Sequence, residues 1–402
     1  MPLRVAHVVR RFTSVEWGGT ETVVRNLVAG ERAKGVDARV FATSALADPE
    51  GMDREAFGFP VSYFPYRYPY WPMPRADRRA LDKKGGNPWS PELFRAVREF
   101  NPDVIHLHAC GRLACTGIRL AEELGVPSLI SLHGGAADVP AAEIAEMLRP
   151  LRRKFPYGGV LDRLTRLRFD PLSRASALIC ISREEERRLK GLYSHPVVRY
   201  LPNGVNVPAE PPVRPSPRQD GGAFRLLCVS RIDYQKNQIV LLDVLSAIPD
   251  CRVTLVGPVT AGWYRDRILA EVEARGLGDR FELIPGLPPD SAELKARFAE
   301  ADAFVLPSVH EPFGIVALEA WTYGLPLIAS AVGGLRDFVK DGENGLLFDP
   351  ARPETLVSAV KRLQEDAPLR SRLSARGLED VKGFSWESIV SQTLDLYGEL
   401  AQ

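Results

Sequence analysis

Glu311-x7-Glu319 lies in the run His310-Glu311-Pro312-Phe313-Gly314-Ile315-Val316-Ala317-Leu318-Glu319-Ala320, which follows an apolar strand pattern ending at Leu306-Pro307-Ser308. Pro312 and Gly314 predict a turn, and Ile315 to Tyr323 predicts a helix that stops at Gly324-Leu325-Pro326. That places Glu311 in the loop at the strand's carboxyl end and Glu319 inside the helix. The amides of Phe313, Gly314 and Ile315 then point out of a helix N-terminus, where unpaired N–H groups suit a phosphate. Carboxylates beside such a site accept hydrogen bonds from hydroxyls. Phosphate donors and hydroxyl acceptors in one place are what a sugar nucleotide requires. The apolar neighbours Ala317, Leu318, Ala320 and Trp321 argue against Glu319 being merely solvated.

Two cations belong with this segment. Arg231 and Lys236, in Val229-Ser230-Arg231-Ile232-Asp233-Tyr234-Gln235-Lys236-Asn237, leave the end of another strand pattern. Carboxyl-end loops are where sheets of this kind bind ligands. Arginine offers a planar fork of donors to a phosphate, and lysine a mobile point charge. Other chemistries lack their residues. There is no Gly-Lys-Ser or Gly-Lys-Thr phosphate loop, no Gly-x-Gly-x-x-Gly dinucleotide turn, no His-Glu-x-x-His and no Asp-x-Asp. A metal-dependent mechanism therefore has no support in the sequence. His106 and His108 share one face of a strand and could mimic a metal pair.

The elements that position these residues follow from the apolar pattern. Strands are predicted at Arg4–Val9, Asp37–Thr43, Asp103–Leu107, Pro127–Leu132, Ala177–Ile181 and Val197–Leu201, and helices at Thr20–Ala33, capped by Thr20 with Glu21, and Ile118–Leu124. After a stretch holding Pro208, Pro211, Pro212, Pro215 and Pro217 the alternation restarts. Strands are then predicted at Arg225–Val229, Arg252–Val256, Phe281–Ile284, Ala303–Leu306, Pro326–Ser330 and Leu346–Phe348. Continuous apolar strands alternating with helices imply parallel sheets covered on both faces. The 402 residues suit two such domains. The expected boundaries are 1–203, a linker at 204–222, 223–383, and a last helix at 384–402. Two α/β halves on a proline-rich hinge imply a cleft, the usual place for a small ligand.

Composition narrows the class further. With 52 Lys plus Arg against 51 Asp plus Glu, the net charge of +1 argues against a nucleic-acid partner. No apolar run spans a bilayer, and the first residues are charged too early for a signal peptide. Five cysteines without Cys-x-x-Cys spacing point to a reducing compartment.

Two segments stand outside the alternation. Residues 61–74 crowd Tyr63, Phe64, Tyr66, Tyr68, Tyr70 and Trp71 among prolines, as either a packed surface loop or an aromatic platform for an acceptor. Residues 147–169 carry Arg149, Arg152, Arg153, Lys154, Arg163, Arg166 and Arg168 against Asp162. That segment is a solvated face, an anionic-substrate patch or a membrane-surface contact.

Taken together, Arg231-x4-Lys236, Glu311-x7-Glu319, Gly333-Gly334 and Asp341-Gly342-Glu343-Asn344-Gly345-Leu346-Leu347 resemble the retaining glycosyltransferases of the GT-B fold, glycosyltransferase family 4. The first half agrees, with Gly18-Gly19, Pro102-Asp103-Val104-Ile105-His106-Leu107-His108, Leu132-His133-Gly134, Ser182 and Leu201-Pro202-Asn203-Gly204-Val205 in the family's order. The resemblance spans nearly the whole chain. It implies two Rossmann-like domains facing each other across a cleft, with a nucleotide diphosphate sugar as co-substrate and no further cofactor. By analogy Arg231 and Lys236 hold the diphosphate, Glu319 the ribose, and Glu311 the hydroxyls of the transferred sugar. Gly18 and Gly19 allow close backbone approach, and His133 lies beside the anomeric centre. The family often has Gly after the lysine, where this chain has Asn237, so a different loop backbone is expected there. The implied partners are a nucleotide-sugar donor and a carbohydrate or lipid-linked acceptor. The implied location is the cytoplasm, with peripheral contact at the inner membrane face. A catalytically silent nucleotide-sugar-binding subunit and a sugar-nucleotide epimerase are the alternatives.

Overall fold

The computed structural model describes residues 2–13, 18–47, 57–83, 85–134, 148–152, 154–212, 222–288 and 291–401. Residues 213–221 of the expected linker, and Met147 and Arg153 of the basic segment, lie outside them. The chain divides into two compact units, Met1–Pro202 with Trp386–Gln402, and Asn203–Ser385.

The strands are β1 Arg4–Val9, β2 Asp37–Thr43, β3 Val61–Phe64, β4 Tyr70–Trp71, β5 Val104–Leu107, β6 Ser128–Ser131, β7 Phe155–Pro156, β8 Ala177–Cys180 and β9 Val197–Tyr200 in the first unit. The second holds β10 Phe224–Val229, β11 Cys251–Val256, β12 Phe281–Ile284, β13 Ala303–Leu306, β14 Leu327–Ser330 and β15 Leu346–Phe348. The first sheet runs β3-β2-β1-β5-β6-β8-β9 and the second β12-β11-β10-β13-β14-β15. All pairs in both sheets are parallel. Strands β5, β6, β8, β13 and β14 are buried at every residue. Burial on both faces is why they read as mostly apolar runs, interrupted by His106 in β5, Ser128 and Ser131 in β6 and Ser330 in β14. In each unit the strand order reverses beside the first strand, β1 or β10, a crevice where ligands collect on open α/β sheets.

The helix after β1 spans Gly19–Ala33 and differs from expectation at its start. Gly18 is the N-cap and makes no side-chain cap hydrogen bond, so Thr20 and Glu21 lie within the first turn. Val24, Leu27 and Val28 face the core as the spacing requires. The last helix, Trp386–Leu400, packs against this one in the first unit. Gly30 makes the approach possible, because a Cβ there would stand 2.6 Å from Val390 Cγ2.

Residues 61–74 are neither a simple loop nor an open platform. Val61–Phe64 forms the edge strand β3. Tyr66 and Tyr68 are buried and donate to Asp82 Oδ1 at 2.6 and 2.9 Å. Only Trp71 of the six aromatics is largely exposed, in the antiparallel ribbon β4–β7 opposite Phe155. All five cysteines are free thiols. Among the described residues no helix is long and apolar enough to cross a membrane.

The Gly30 contact yields a stability prediction. Gly30→Val forces two packed helices apart, and overpacking of this kind costs about 1–3 kcal/mol. A lower melting temperature is expected, with the Gly30→Ala variant intermediate. An unchanged melt in the valine variant would mean that the helices do not meet there.

Candidate active site

In the second unit the two sequence motifs meet at the carboxyl ends of β10 and β13. After β10 the chain passes through Ser230 and Arg231 into a short 3-10 turn, Tyr234–Lys236. Asp233 caps the turn, accepting from the Gln235 amide at 3.1 Å and from Thr260 Oγ1 at 3.0 Å. Asn237 follows with φ +52°, the left-handed conformation that asparagine tolerates better than most residues. The loop therefore keeps a backbone that glycine would adopt, against the expectation of a different one. The loop after β13 is tied to this turn by the Val309 amide donating to the Gln235 carbonyl at 2.8 Å.

That tie brings Lys236 to Glu311. Lys236 Nζ donates to Glu311 Oε2 at 2.7 Å, and both side chains are nearly buried. Ser308 Oγ donates to the same oxygen at 3.1 Å, and Ser330 Oγ donates to the Ser308 carbonyl at 2.6 Å. A charge-assisted bond out of water is worth more than a surface pair. Arg231 behaves differently. It is about half exposed, with Asp233 Oδ2 at 3.7 Å.

The backbone of Glu311 is fixed by the loop Gly333-Gly334. A Cβ on Gly333 would lie 2.1 Å from the Glu311 carbonyl oxygen, and one on Gly334 2.3 Å from that of Pro312. Two residues without Cβ let one backbone rest on the other. Beyond Glu311, Gly314 is the N-cap of the helix Ile315–Thr322; the Ala317 amide donates to the Gly314 carbonyl at 2.9 Å, and the amides before it are ones a helix leaves without intrahelical partners. Phe313 is buried against Phe338 and anchors the loop, so only its backbone is available to a ligand. Glu319 sits half-buried in the helix's second turn.

The first unit carries Gly18, Gly19 and His133. The space beside Gly19 is open, whereas a Cβ at Gly18 would meet Glu21. His133 follows β6 and is half-buried, and its Nδ1 is shut off from solvent with no hydrogen-bond partner among the described residues. Its Nε2 lies 3.0 Å from His108 Nδ1. Desolvation pushes its pKa down to about 4, and burial pushes those of His106 and His108 well below the usual value. Ser182 spends its hydroxyl on capping the helix Arg183–Leu192, accepting from the Glu185 amide at 3.1 Å.

Comparison with known proteins places this arrangement. The family model described as Glycosyltransferase Family 4 matches residues 17–208, and that described as Glycosyl transferases group 1 matches residues 211–380. The chain belongs to this glycosyltransferase family. A D-inositol 3-phosphate glycosyltransferase from Arthrobacter sp. strain FB24 is 26% identical over 94% of this chain and 90% of that protein. One of the same name from Nocardioides sp. is 38% identical over 43% of this chain, a match that spans 41% of that relative. Among solved structures, sucrose-phosphate synthase from Thermosynechococcus elongatus superposes with a TM-score of 0.73 at 24% identity, covering 99% of each chain. Anabaena HepE in complex with UDP and glucose gives 0.71 at 18%, covering 99% of this chain and 100% of that one. The architecture is the GT-B fold of two Rossmann-like domains.

Within this glycosyltransferase, three residues absent from the sequence-based site stand behind His133: His7, Glu31 and Tyr397. All three are fully buried. Their signal was available in the sequence. His7 interrupts the apolar run Val5-Ala6-His7-Val8-Val9, and Glu31 continues the apolar face set by Val24, Leu27 and Val28. The ring nitrogens of His7, His106 and His108 lie within 4.8 Å of one another, a spacing that a metal could use. Each of those nitrogens already has a hydrogen-bond partner.

The buried histidines set a pH dependence. A histidine whose folded pKa is depressed takes up its proton in the unfolded chain first. Stability is therefore retained above the unfolded value of 6.5 and lost as pH falls toward about 4, the folded value for His133. Each such histidine contributes a slope of up to about 1.4 kcal/mol per pH unit. Urea denaturation should show stability dropping between pH 6.5 and 5, before most carboxylates titrate. A flat profile in that window would mean that the histidines are not held neutral.

Proposed function

We propose that the chain is a retaining, metal-independent glycosyltransferase that moves a hexose from a nucleotide diphosphate sugar to a carbohydrate or lipid-linked acceptor. The observation that carries this reading is the contact of Lys236 with Glu311 at the mouth of the Ile315–Thr322 helix. It sets a cation and helix N–H groups, suited to a diphosphate, beside a carboxylate suited to sugar hydroxyls. HepE, of the same fold, was solved with UDP and glucose, which supports a nucleotide-sugar donor. In this reading Arg231 and Lys236 hold the diphosphate, Glu319 the ribose, and Glu311 the transferred sugar. Gly18 and Gly19 admit the donor or acceptor closely, and His133 contacts the sugar beside the anomeric carbon.

Retention is supported by the weakness of the available base. Inversion needs a base on the face opposite the leaving group. A histidine with a pKa near 4 serves poorly at neutral pH. In the retaining course the leaving phosphate accepts the acceptor's proton on the same face. Metal independence is supported by the cations in reach of the leaving group and by the lack of an Asp-x-Asp pair.

Removing either cation takes a charge-assisted contact from the diphosphate, worth about 1.5–3 kcal/mol, or roughly 10- to 150-fold in turnover. Lys236→Ala is expected to be the worse of the two, because it also leaves Glu311 buried without its countercharge. Donor turnover by both variants checks this, and near-normal rates would remove the diphosphate assignment. His133→Ala should slow turnover about 10²-fold through lost positioning.

The experiment for the whole reading is proton NMR of the product's anomeric signal, in excess EDTA, after a thermal-shift panel of nucleotide hexoses has selected the donor. An α-linked product from an α-linked donor is expected. A β product would make the enzyme inverting, and activity lost in EDTA and restored by Mg²⁺ would make it metal-dependent.

For the acceptor side we infer peripheral contact with an anionic membrane surface through the basic segment. Trp71 and Phe155, paired across the β4–β7 ribbon, are 71% and 68% exposed, and Val160 and Leu164 on the helix Gly158–Leu164 are 64% and 78% exposed. Arg149, Arg152, Arg163 and Arg166 are exposed on the same segment. Apolar side chains flanked by arginines suit a lipid interface. Lys154 is engaged with Asp77 at 2.5 Å and is a poor probe. Reversal of Arg149, Arg152 and Arg163 to Glu should abolish pelleting with phosphatidylserine vesicles, as should high salt. Unchanged pelleting would return the segment to a solvated face.

A further inference from the structure

We propose that Glu31, His7 and His108 are positioning residues which fix the tautomer of His133 through an unbroken hydrogen-bonded chain, leaving its Nδ1 bare as an acceptor for a hydroxyl of the bound sugar. The sugar contact rests on the function proposed above. The chain does not.

Each ring in the chain has one proton to give, and Glu31 decides where the first of them points. Glu31 Oε2 lies 2.8 Å from His7 Nε2, and Oε1 lies 3.0 Å from the Tyr397 hydroxyl. With Glu31 as a carboxylate, which only accepts, both neighbours donate. With His7 neutral its ring has one N–H, so Nδ1 carries a lone pair and accepts from His108 Nε2–H at 3.0 Å. By the same rule His108 Nδ1 accepts from His133 Nε2–H at 3.0 Å. The proton of His133 is then spent on His108, and its Nδ1 has none.

The side branch closes consistently. Tyr397 has given its single proton to Glu31, so it accepts from His106 Nδ1–H at 2.6 Å. His106 Nε2 then accepts from Ser131 Oγ–H at 2.7 Å. One assignment satisfies every nitrogen of His7, His106 and His108, and it gives His106 the tautomer opposite to that of the other rings. The depressed pKa values of His106, His108 and His133 agree with neutral rings at physiological pH.

His133 Nδ1 alone is left over, shut off from water and without a partner among the described residues. An orphaned buried polar atom is costly, and in a native structure it points to a partner supplied from outside. The chain also has a direction. One further proton, lodged on His7 beside Glu31, would reverse the His7–His108 and His108–His133 bonds and put hydrogen on His133 Nδ1.

The test reads tautomers directly. Full-length protein with ¹⁵N-labelled histidine is examined at pH 7.5 by long-range ¹H–¹⁵N correlation, each ring being assigned by its loss on substitution. Nε2–H is expected for His7, His108 and His133, and Nδ1–H for His106. His108→Leu should leave His133 averaging between tautomers, and His108→Asn, whose amide oxygen can stand where Nδ1 stood, should restore the single form. His133 carrying Nδ1–H, or a charge, in the unmodified protein would overturn the proposal even if the leucine variant fails to fold. So would a stoichiometric bound metal, or a His133 tautomer indifferent to His108→Leu. The sugar contact is read separately. On saturation with UDP-glucose, His133 Nδ1 should shift, and with UDP alone it should not. Calorimetric binding of UDP-glucose without that shift would overturn the contact while the chain stands. Failure to bind any nucleotide hexose would strike the function proposed above and leave the tautomers as assigned.

Discussion

A carboxylate out of water must be answered by donors, and in each unit of this protein one such group underlies the candidate site. Glu311 in the second unit and Glu31 in the first are both buried. Leaving either unpaired would cost several kcal/mol, more than most single contacts supply. Both are answered from the first strand of their sheet. Lys236, from the loop after β10, answers Glu311, and His7, on β1 itself, answers Glu31. In the second unit the Val309–Gln235 bond, the Gly333-Gly334 loop and the capped Tyr234–Lys236 turn fix the loops that bring Lys236 to Glu311.

The second unit's arrangement was largely legible in the sequence because its parts are local. Pro312 and Gly314 mark the turn, and the helix found, Ile315–Thr322, ends one residue before the expected Tyr323. The strands were readable for a related reason. Burial on both faces leaves β13 wholly apolar and β14 apolar up to Ser330, so run length defines them. What the sequence did not disclose is that Lys236 and Glu311 touch. That contact depends on the register of two loops 75 residues apart, set by the Val309–Gln235 bond.

The first unit was less legible, and most of the misreadings share an origin. Polar residues on buried surfaces look like interruptions in a pattern when their partners are far away in sequence. His7 pairs in register with His106 across β1 and β5, while Glu31 and Tyr397 are 366 residues apart. Tyr66 and Tyr68 were similarly ambiguous because Asp82, which absorbs both hydroxyls, lies in a helix that the sequence reading did not place. Thr20 failed as a cap for a simpler reason: the backbone turns into the helix at Gly18, two residues earlier.

The two carboxylates are satisfied by donors of different kinds, and the difference bears on what each can do. Lysine offers three donors on a flexible stem, so Lys236 can keep one hydrogen bond to Glu311 and still turn others toward an arriving anion. Glu311 itself is held through Oε2 by both Lys236 and Ser308. Such a pair can share its partners with a ligand. Glu31 is bound instead by a phenol and an imidazole, each a rigid ring with one proton to give, and those rings are locked in turn by Ser131, His106 and His108. Nothing there can swing toward a ligand without orphaning a buried group. The first arrangement suits binding that changes with occupancy. The second suits holding one side chain, His133, in a single orientation and protonation state whatever is bound.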